Sequence, residues 1–171
     1  MPITTQKFVP CLWFDGRAEE AAKYYTGIFK NSKITRTSHY TDVGREVHKH
    51  EAGEVMTVDF ELDGQRFTAL NGGPEFKFNE AISLQIMCDD QNEIDQYWNK
   101  LSQGGDPKAQ VCGWLKDKFG VSWQVVPKAL SDWMADRDTE RVGRVMEALL
   151  KMQKLDVAEL EHAYKGVGVG V

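Results

Sequence analysis

RAEEAAKYYTGIF (residues 17–29) and NEIDQYWNKLSQGG (92–105) decide the fold. In the first, Ala21, Tyr24, Tyr25, Ile28 and Phe29 recur at helical spacing, and Ala, Glu and Lys are good helix formers. The second carries the same pattern 73 residues later. Glu20 meets Glu93, Tyr24 meets Tyr97, Tyr25 meets Trp98 and Ile28 meets Leu101. A helix that returns with its aromatic positions kept predicts an internal repeat.

The surroundings of the two helices repeat as well. FVPCLWF (8–14) and AISLQIMC (81–88) are apolar, strand-like runs, ended by Asp15-Gly16 and Asp89-Asp90. After the first helix, KITRTSHY (33–40) reads as a strand and TDVGREVHKHEAGE (41–54) as a mobile polar loop. EVMTVDFEL (54–62) alternates Met56, Val58, Phe60 and Leu62 against Thr57, Asp59 and Glu61, which predicts a strand with its apolar side towards the helices. Asp63-Gly64 marks a hairpin into QRFTALN (65–71), and Asn71-Gly72-Gly73-Pro74 breaks the chain. After the second helix, CGWLKD (112–117) and VSWQVVP (121–127) form a hairpin around Lys118-Phe119-Gly120. Gly64 follows Asp15 by 49 residues, whereas Gly120 follows Asp89 by only 31. The second copy therefore lacks about a strand and a loop, and 104–111 becomes a tight connector.

Past Pro127 the repeat stops. ALSDWMAD, DTERVGRVMEALLKMQ and DVAELEHAY read as helices, the last with a capping box from Asp156 and Glu159. The expected organisation is a domain over 1–127, with module one about 7–73 and module two about 80–127. A helical extension follows over 128–165, then a frayed tail over 166–171. The fold class is α+β: two βαβββ modules, the second shortened, plus the C-terminal helical tail.

Composition narrows the partners. The chain has 171 residues, 42% of them hydrophobic, and a formal net charge of −5. At about 70% burial of the unfolded surface, a chain this long builds a core without staples. An acidic surface without basic runs excludes nucleic acid as an expected partner, and no apolar stretch is long enough for a membrane span. The N-terminal residues show no signal-peptide pattern. Three cysteines without a CxxC pair read as buried reduced thiols, and the expected location is cytoplasmic.

LWFDGRAEEAAKYY, VMTVDFELDGQ, ALNGGPEFKFNEAISLQ, IDQYWNKLSQGG and CGWLKDKFGVSWQVVP, set in a doubled βαβββ pattern, resemble the PhnB-like branch of the vicinal oxygen chelate superfamily. That superfamily includes glyoxalase, bleomycin-resistance proteins and extradiol dioxygenases, and the branch is often labelled 3-demethylubiquinone-9 3-methyltransferase. The resemblance implies a glyoxalase-like fold in which each module curls its sheet into a ligand-holding cup. It also implies assembly through paired modules, hence a homodimer, with exchange of modules through 73–80 as one form of it.

Metal-using members of the superfamily carry a His, Glu or Gln on each of four strands. The matching positions here are Phe8 or Pro10, Phe67, Ser83 and Gln124. Only Gln124 is an acceptable ligand, so no metal and no other cofactor is expected. His48 and His50 read as a solvated pair in the loop. No glycine-rich turn between strand and helix supports adenosylmethionine binding, so methyl transfer is not expected.

Period-2 alternation places Phe67, Ala69 and Asn71, then Ser83, Gln85 and Met87, then Ser122, Gln124 and Val126 on the cup side. The expected ligand pocket is Phe67, Asn71, Ser83, Gln85, Ser122 and Gln124. Trp13, Trp114 and Trp123 are expected in the core. The reading that follows is binding of a small polar-aromatic molecule without a metal. A second is a metal-independent enzyme in which Asp59 or Glu61, two residues apart on one face, forms a carboxylate pair with a raised pKa and acts as base. A third is a metal-dependent isomerase, lyase or dioxygenase, against which the ligand positions argue.

Overall fold

The computed structural model describes residues 6–167, and these divide into two compact units between Phe78 and Asn79. The frayed end expected for 166–171 falls, from residue 168 on, outside the described residues. In the first unit, α1 (Ala18–Ile28) turns Ala18, Ala21, Ala22, Tyr25 and Ile28 inward, all buried. Tyr25 is fully buried and stacks on Phe60 with ring centroids 6.3 Å apart. Burial of one such side chain stabilises by roughly 1.5–3 kcal/mol.

The helix lies against a four-stranded sheet in the order β1 (Cys11–Phe14), β4 (Gln65–Asn71), β3 (Val55–Leu62), β2 (Lys33–His39). β1 runs parallel to β4, and the other pairs are antiparallel. The hairpin between β3 and β4 turns on Asp63 and Gly64, with φ of +46° and +81°. Two consecutive left-handed residues are what the tightest hairpin needs, and Asp-Gly supplies them at low cost.

The loop 41–54 has defined local structure. It contains the short helix α2 (Arg45–His48), an Arg45–Glu51 ion pair and two imidazoles stacked on the buried ring of Tyr40. Its polarity concealed the aromatic anchor.

In the second unit the sheet has three strands, ordered β5 (Leu84–Cys88), β7 (Ser122–Pro127), β6 (Trp114–Lys116). β5 is parallel to β7 and β6 antiparallel to it, as β1 and β3 are to β4. The strand without a counterpart is therefore β2, the sheet edge. Its place in the chain is taken by a 3₁₀ turn at Pro107–Ala109. α3 (Gln91–Leu101) buries Ile94, Tyr97, Trp98 and Leu101, and Asp90 caps it by accepting from the Glu93 amide at 3.0 Å.

The helices α4 (Ala129–Met134), α5 (Thr139–Leu149) and α6 (Val157–Lys165) belong to this second compact unit. Val145, Met152, Leu155 and Leu160 form a core that includes Val126 of β7. The Cys112 and Gly113 amides donate to the carbonyls of Met152 and Gln153, both at 2.8 Å. Gln91 at the start of α3 binds the Leu155 carbonyl and the Val157 amide. Among the described residues no helix is long and apolar enough to cross a membrane.

The cysteines correct one expectation. Only Cys88 is buried; Cys112 is half-buried and Cys11 exposed, and all three are free thiols. Burial first, then the charges of Glu93, Asp89 and Asp90, push the Cys88 thiol up to about 12.

Candidate functional site

Directly opposed residues in neighbouring strands point to the same side of a sheet. On the side of the first sheet away from α1, Cys11, Thr68, Asp59 and Arg36 stand in one row across all four strands. Asp59 is the centre of that row. Thr68 donates its hydroxyl to one carboxylate oxygen at 2.8 Å, and Arg36 donates two bonds to the other at 2.6 and 2.9 Å. Burial pushes the Asp59 pKa up, but the hydrogen bonds from Thr68 and Arg36, with the charges of Arg36 and Arg66, hold it below the usual carboxylate range. Glu61 is separately paired with Lys33 at 3.5 Å. The expected coupled pair is therefore absent: each carboxylate has its own cation, and Asp59 is shifted opposite to the direction a base requires. Arg36 and Thr68 were missed because each sits on a different strand from Asp59, so only the register reveals them.

Phe67 and Asn71 are corrections. Phe60 stands opposite Phe67 and Val58 opposite Ala69, so these β4 positions share the helix-covered side. Phe67 is buried and stacks on Phe60, with centroids 5.4 Å apart. Asn71 serves the fold: its Oδ1 accepts from the Ala18 amide at 2.8 Å, and its Nδ2 donates to the Val55 carbonyl at 3.0 Å. It thereby satisfies an N–H at the start of α1, where Arg17 provides no side-chain cap. The error was one of register: the faces of β3 were read correctly, but β4 was counted from Asn71 as though that residue faced the cup.

In the second unit three expected residues come together. Gln85 stands opposite Gln124 in the ladder. Its Nε2 donates to the Gln124 Oε1 at 3.1 Å, and the Gln124 Nε2 donates to the Ser83 hydroxyl at 2.8 Å. Ser122 lies two residues from Gln124 on the same side, but its hydroxyl is buried without a hydrogen-bond partner among the described residues. Val126, assigned to this side with them, is taken into the core of the C-terminal helices.

The tryptophans divide. Trp123 is buried and donates its indole N–H to Asp117 at 2.8 Å. Trp114 stands opposite Gln124, on the polar side and half-buried. Trp13 is half-buried beside Gly72 and donates to the Gly73 carbonyl at 2.8 Å. A Cβ on Gly72 would lie 2.2 Å from the Trp13 ring, so only glycine fits there. Core placement was expected for all three and holds for Trp123 alone.

These side chains do not fit a divalent ion. Phe8 is 90% exposed, Phe67 is in the helix-side core, and Ser83 and Gln124 are bonded to each other. On the polar side of the first sheet, partial burial and then the Asp59 charge keep the Cys11 thiol protonated to higher pH, a poor ligand state. No three His, Cys, Asp or Glu among the described residues converge for a metal ion.

Comparison with known proteins agrees with this architecture. Residues 6–126 match the family model described as 3-demethylubiquinone-9 3-methyltransferase. A solved PhnB protein of Bacillus cereus, described as a putative 3-demethylubiquinone-9 3-methyltransferase, is 36% identical. The match covers 71% of this chain and 99% of that one, with a TM-score of 0.60. Protein PA1353 of Pseudomonas aeruginosa shares the fold at 20% identity and a TM-score of 0.57, over 72% of this chain and 98% of that one. So does the fosfomycin resistance protein FosX of Listeria monocytogenes, at 14% identity and a TM-score of 0.50, over 79% and 100%. No curated protein matches. The chain belongs to the 3-demethylubiquinone-9 3-methyltransferase family, in the PhnB-like branch of the vicinal oxygen chelate superfamily. The family match ends within β7, so α4, α5 and α6 lie beyond it.

Proposed function

We propose that this protein binds a small polar-aromatic molecule on the Gln85 and Gln124 side of the second sheet, without a divalent ion. The observation that carries the reading is the row Ser83, Gln124, Gln85. Both ends of the Gln124 amide are engaged, which pre-orients its neighbours. The Gln85 carbonyl oxygen and the Ser83 hydroxyl proton are left to address a ligand. Trp114, opposite Gln124, adds a flat apolar surface beside them. The methyltransferase description is a family name, and no glycine-rich cofactor turn between strand and helix supports methyl transfer. The Asp59 base is not proposed, because Arg36 and Thr68 occupy its oxygens.

Native mass spectrometry of the purified protein tests the reading. A drug-sized adduct is expected, and it should be lost in the Gln85→Leu/Gln124→Leu double variant. Each ligand hydrogen bond removed costs roughly 1–3 kcal/mol, about a 5- to 150-fold weakening. Elemental analysis should give well under one equivalent of Zn, Ni, Mn or Fe. An adduct retained in full by the double variant, or a stoichiometric metal lost on Gln124→Ala, would overturn the proposal.

A further inference from the structure

The first unit contains a cleft of about 300 Å³, lined by Gly16, Glu19, His50, Glu54, Val55 and Asn71. It lies at the start of α1 and the loop end of β3 and includes none of the open-face residues Asp59, Thr68 or Arg36. We propose that it is a second binding site, for a small organic cation held through its ammonium group.

The hydrogen-bond inventory of the lining carries this. His50 Nδ1 lies 2.9 Å from Glu54 Oε2. A carboxylate only accepts, so Nδ1 carries a proton, and in the neutral ring Nε2 presents a lone pair. Among the described residues nothing donates to that nitrogen. The ring is firmly held, with its side chain only 17% exposed, 4.2 Å from the Tyr40 ring centroid and 11° from its plane. Tyr40 is anchored in turn by its hydroxyl, which donates to the Asn71 carbonyl at 2.5 Å. His48 braces the turn from behind. Its Nδ1 accepts the His50 amide at 3.1 Å and its Nε2 meets the Val43 carbonyl at 3.2 Å, which assigns the proton to Nε2.

The remaining side-chain capacity of the lining is acceptor only. It comprises His50 Nε2, the second oxygen of Glu54 and the Glu19 carboxylate, which Lys23 reaches from outside at 2.9 Å. Both ends of the Asn71 amide are already used. An anion would meet two carboxylates and no side-chain donor. A bare metal needs donors converging at about 2.0–2.6 Å, and no such trio exists among the described residues. An ammonium brings three N–H donors and a positive charge, and an alkyl stem of a few carbons fits the volume beside Val55.

Titration with n-butylammonium chloride, followed by the ring nitrogens of His50 in NMR, tests the proposal, with sodium butyrate as the charge-reversed control. Saturable binding is expected with a Kd on the order of 1–10 mM, together with displacement of the Nε2 resonance and no saturable response to butyrate. Glu54→Gln and Glu19→Gln should each weaken it by about fivefold or more. Both variants keep side-chain volume, and an unchanged amide spectrum will report that the fold is intact. Should His50→Ala disturb the loop, the two Gln variants decide alone. Absence of saturation by 50-fold excess over that range, equal binding of butyrate, or unchanged affinity in both Gln variants would overturn it.

Discussion

Asp59 shows how much a single side chain depends on its register partners. Alone it reads as a base; bonded to Thr68 and Arg36 it is a structural anion. Its folded pKa lies below the ordinary aspartate value of about 3.9. Its stabilising contribution is therefore fully present above that value and lost as pH falls through the folded pKa. Asp59→Asn should cost about 1 kcal/mol at pH 7, a small figure because Arg36 is largely exposed. The cost should shrink at an acid pH below the folded pKa, where Asp59 has taken up a proton. Urea unfolding at the two pH values measures it, and an equal loss at both would remove the charge as the cause.

At the scale of elements, α1 depends on a residue 53 positions away. Asn71 caps it and ties it to Val55 at the start of β3. Asn71→Ala should destabilise by about 2–4 kcal/mol, since two hydrogen bonds go and an N–H and a carbonyl are left unpaired in a buried place. Denaturant unfolding checks this, and a loss below about 1 kcal/mol would show that solvent replaces the amide. The same element shows where sequence reading succeeded and where it stopped. Both helices of the repeat, the Asp63-Gly64 hairpin and the missing strand were legible because period, turn residues and spacing are local properties. Phe67 was misplaced because which side of a strand faces a helix depends on pairing, and a one-residue miscount reverses every side chain. Ser83, Gln85 and Gln124 came out together because Gln85 and Gln124 stand opposite in the ladder, with Ser83 and Gln85 two residues apart. His50 reads as solvated and Glu54 passes unremarked because the loop between them and Tyr40 looks merely polar. The spacing His50-x-x-x-Glu54 after an aromatic at 40 was the one available signal.

At the scale of the whole molecule, we propose that the chain is a homodimer. The segment 73–80 joins two units with separate cores, and Phe76 and Ile82 beside it are 66% and 79% exposed. Large apolar side chains left this open, one in each unit, are what a second copy would cover. Sedimentation velocity at micromolar concentration should give a dimer, and Phe76→Ser with Ile82→Ser should shift it towards monomer. A monomeric wild-type protein would end the proposal.

The backbone bonds from Cys112 and Gly113 to Met152 and Gln153 also bear on how the protein is made. Every strand and helix of the first unit is complete by Asn71, so that unit has all its partners early in synthesis. The second unit must wait for Leu160 before its core can close. At roughly 5–20 residues per second, the stretch from Asn71 to Leu160 takes about 4–18 s on the ribosome. Val126 and the end of β7 are without their cover only for the last part of it, about 2–7 s. The late helices thus leave the second half of the chain without its full core until near the end of translation, when the first half has long had all its partners.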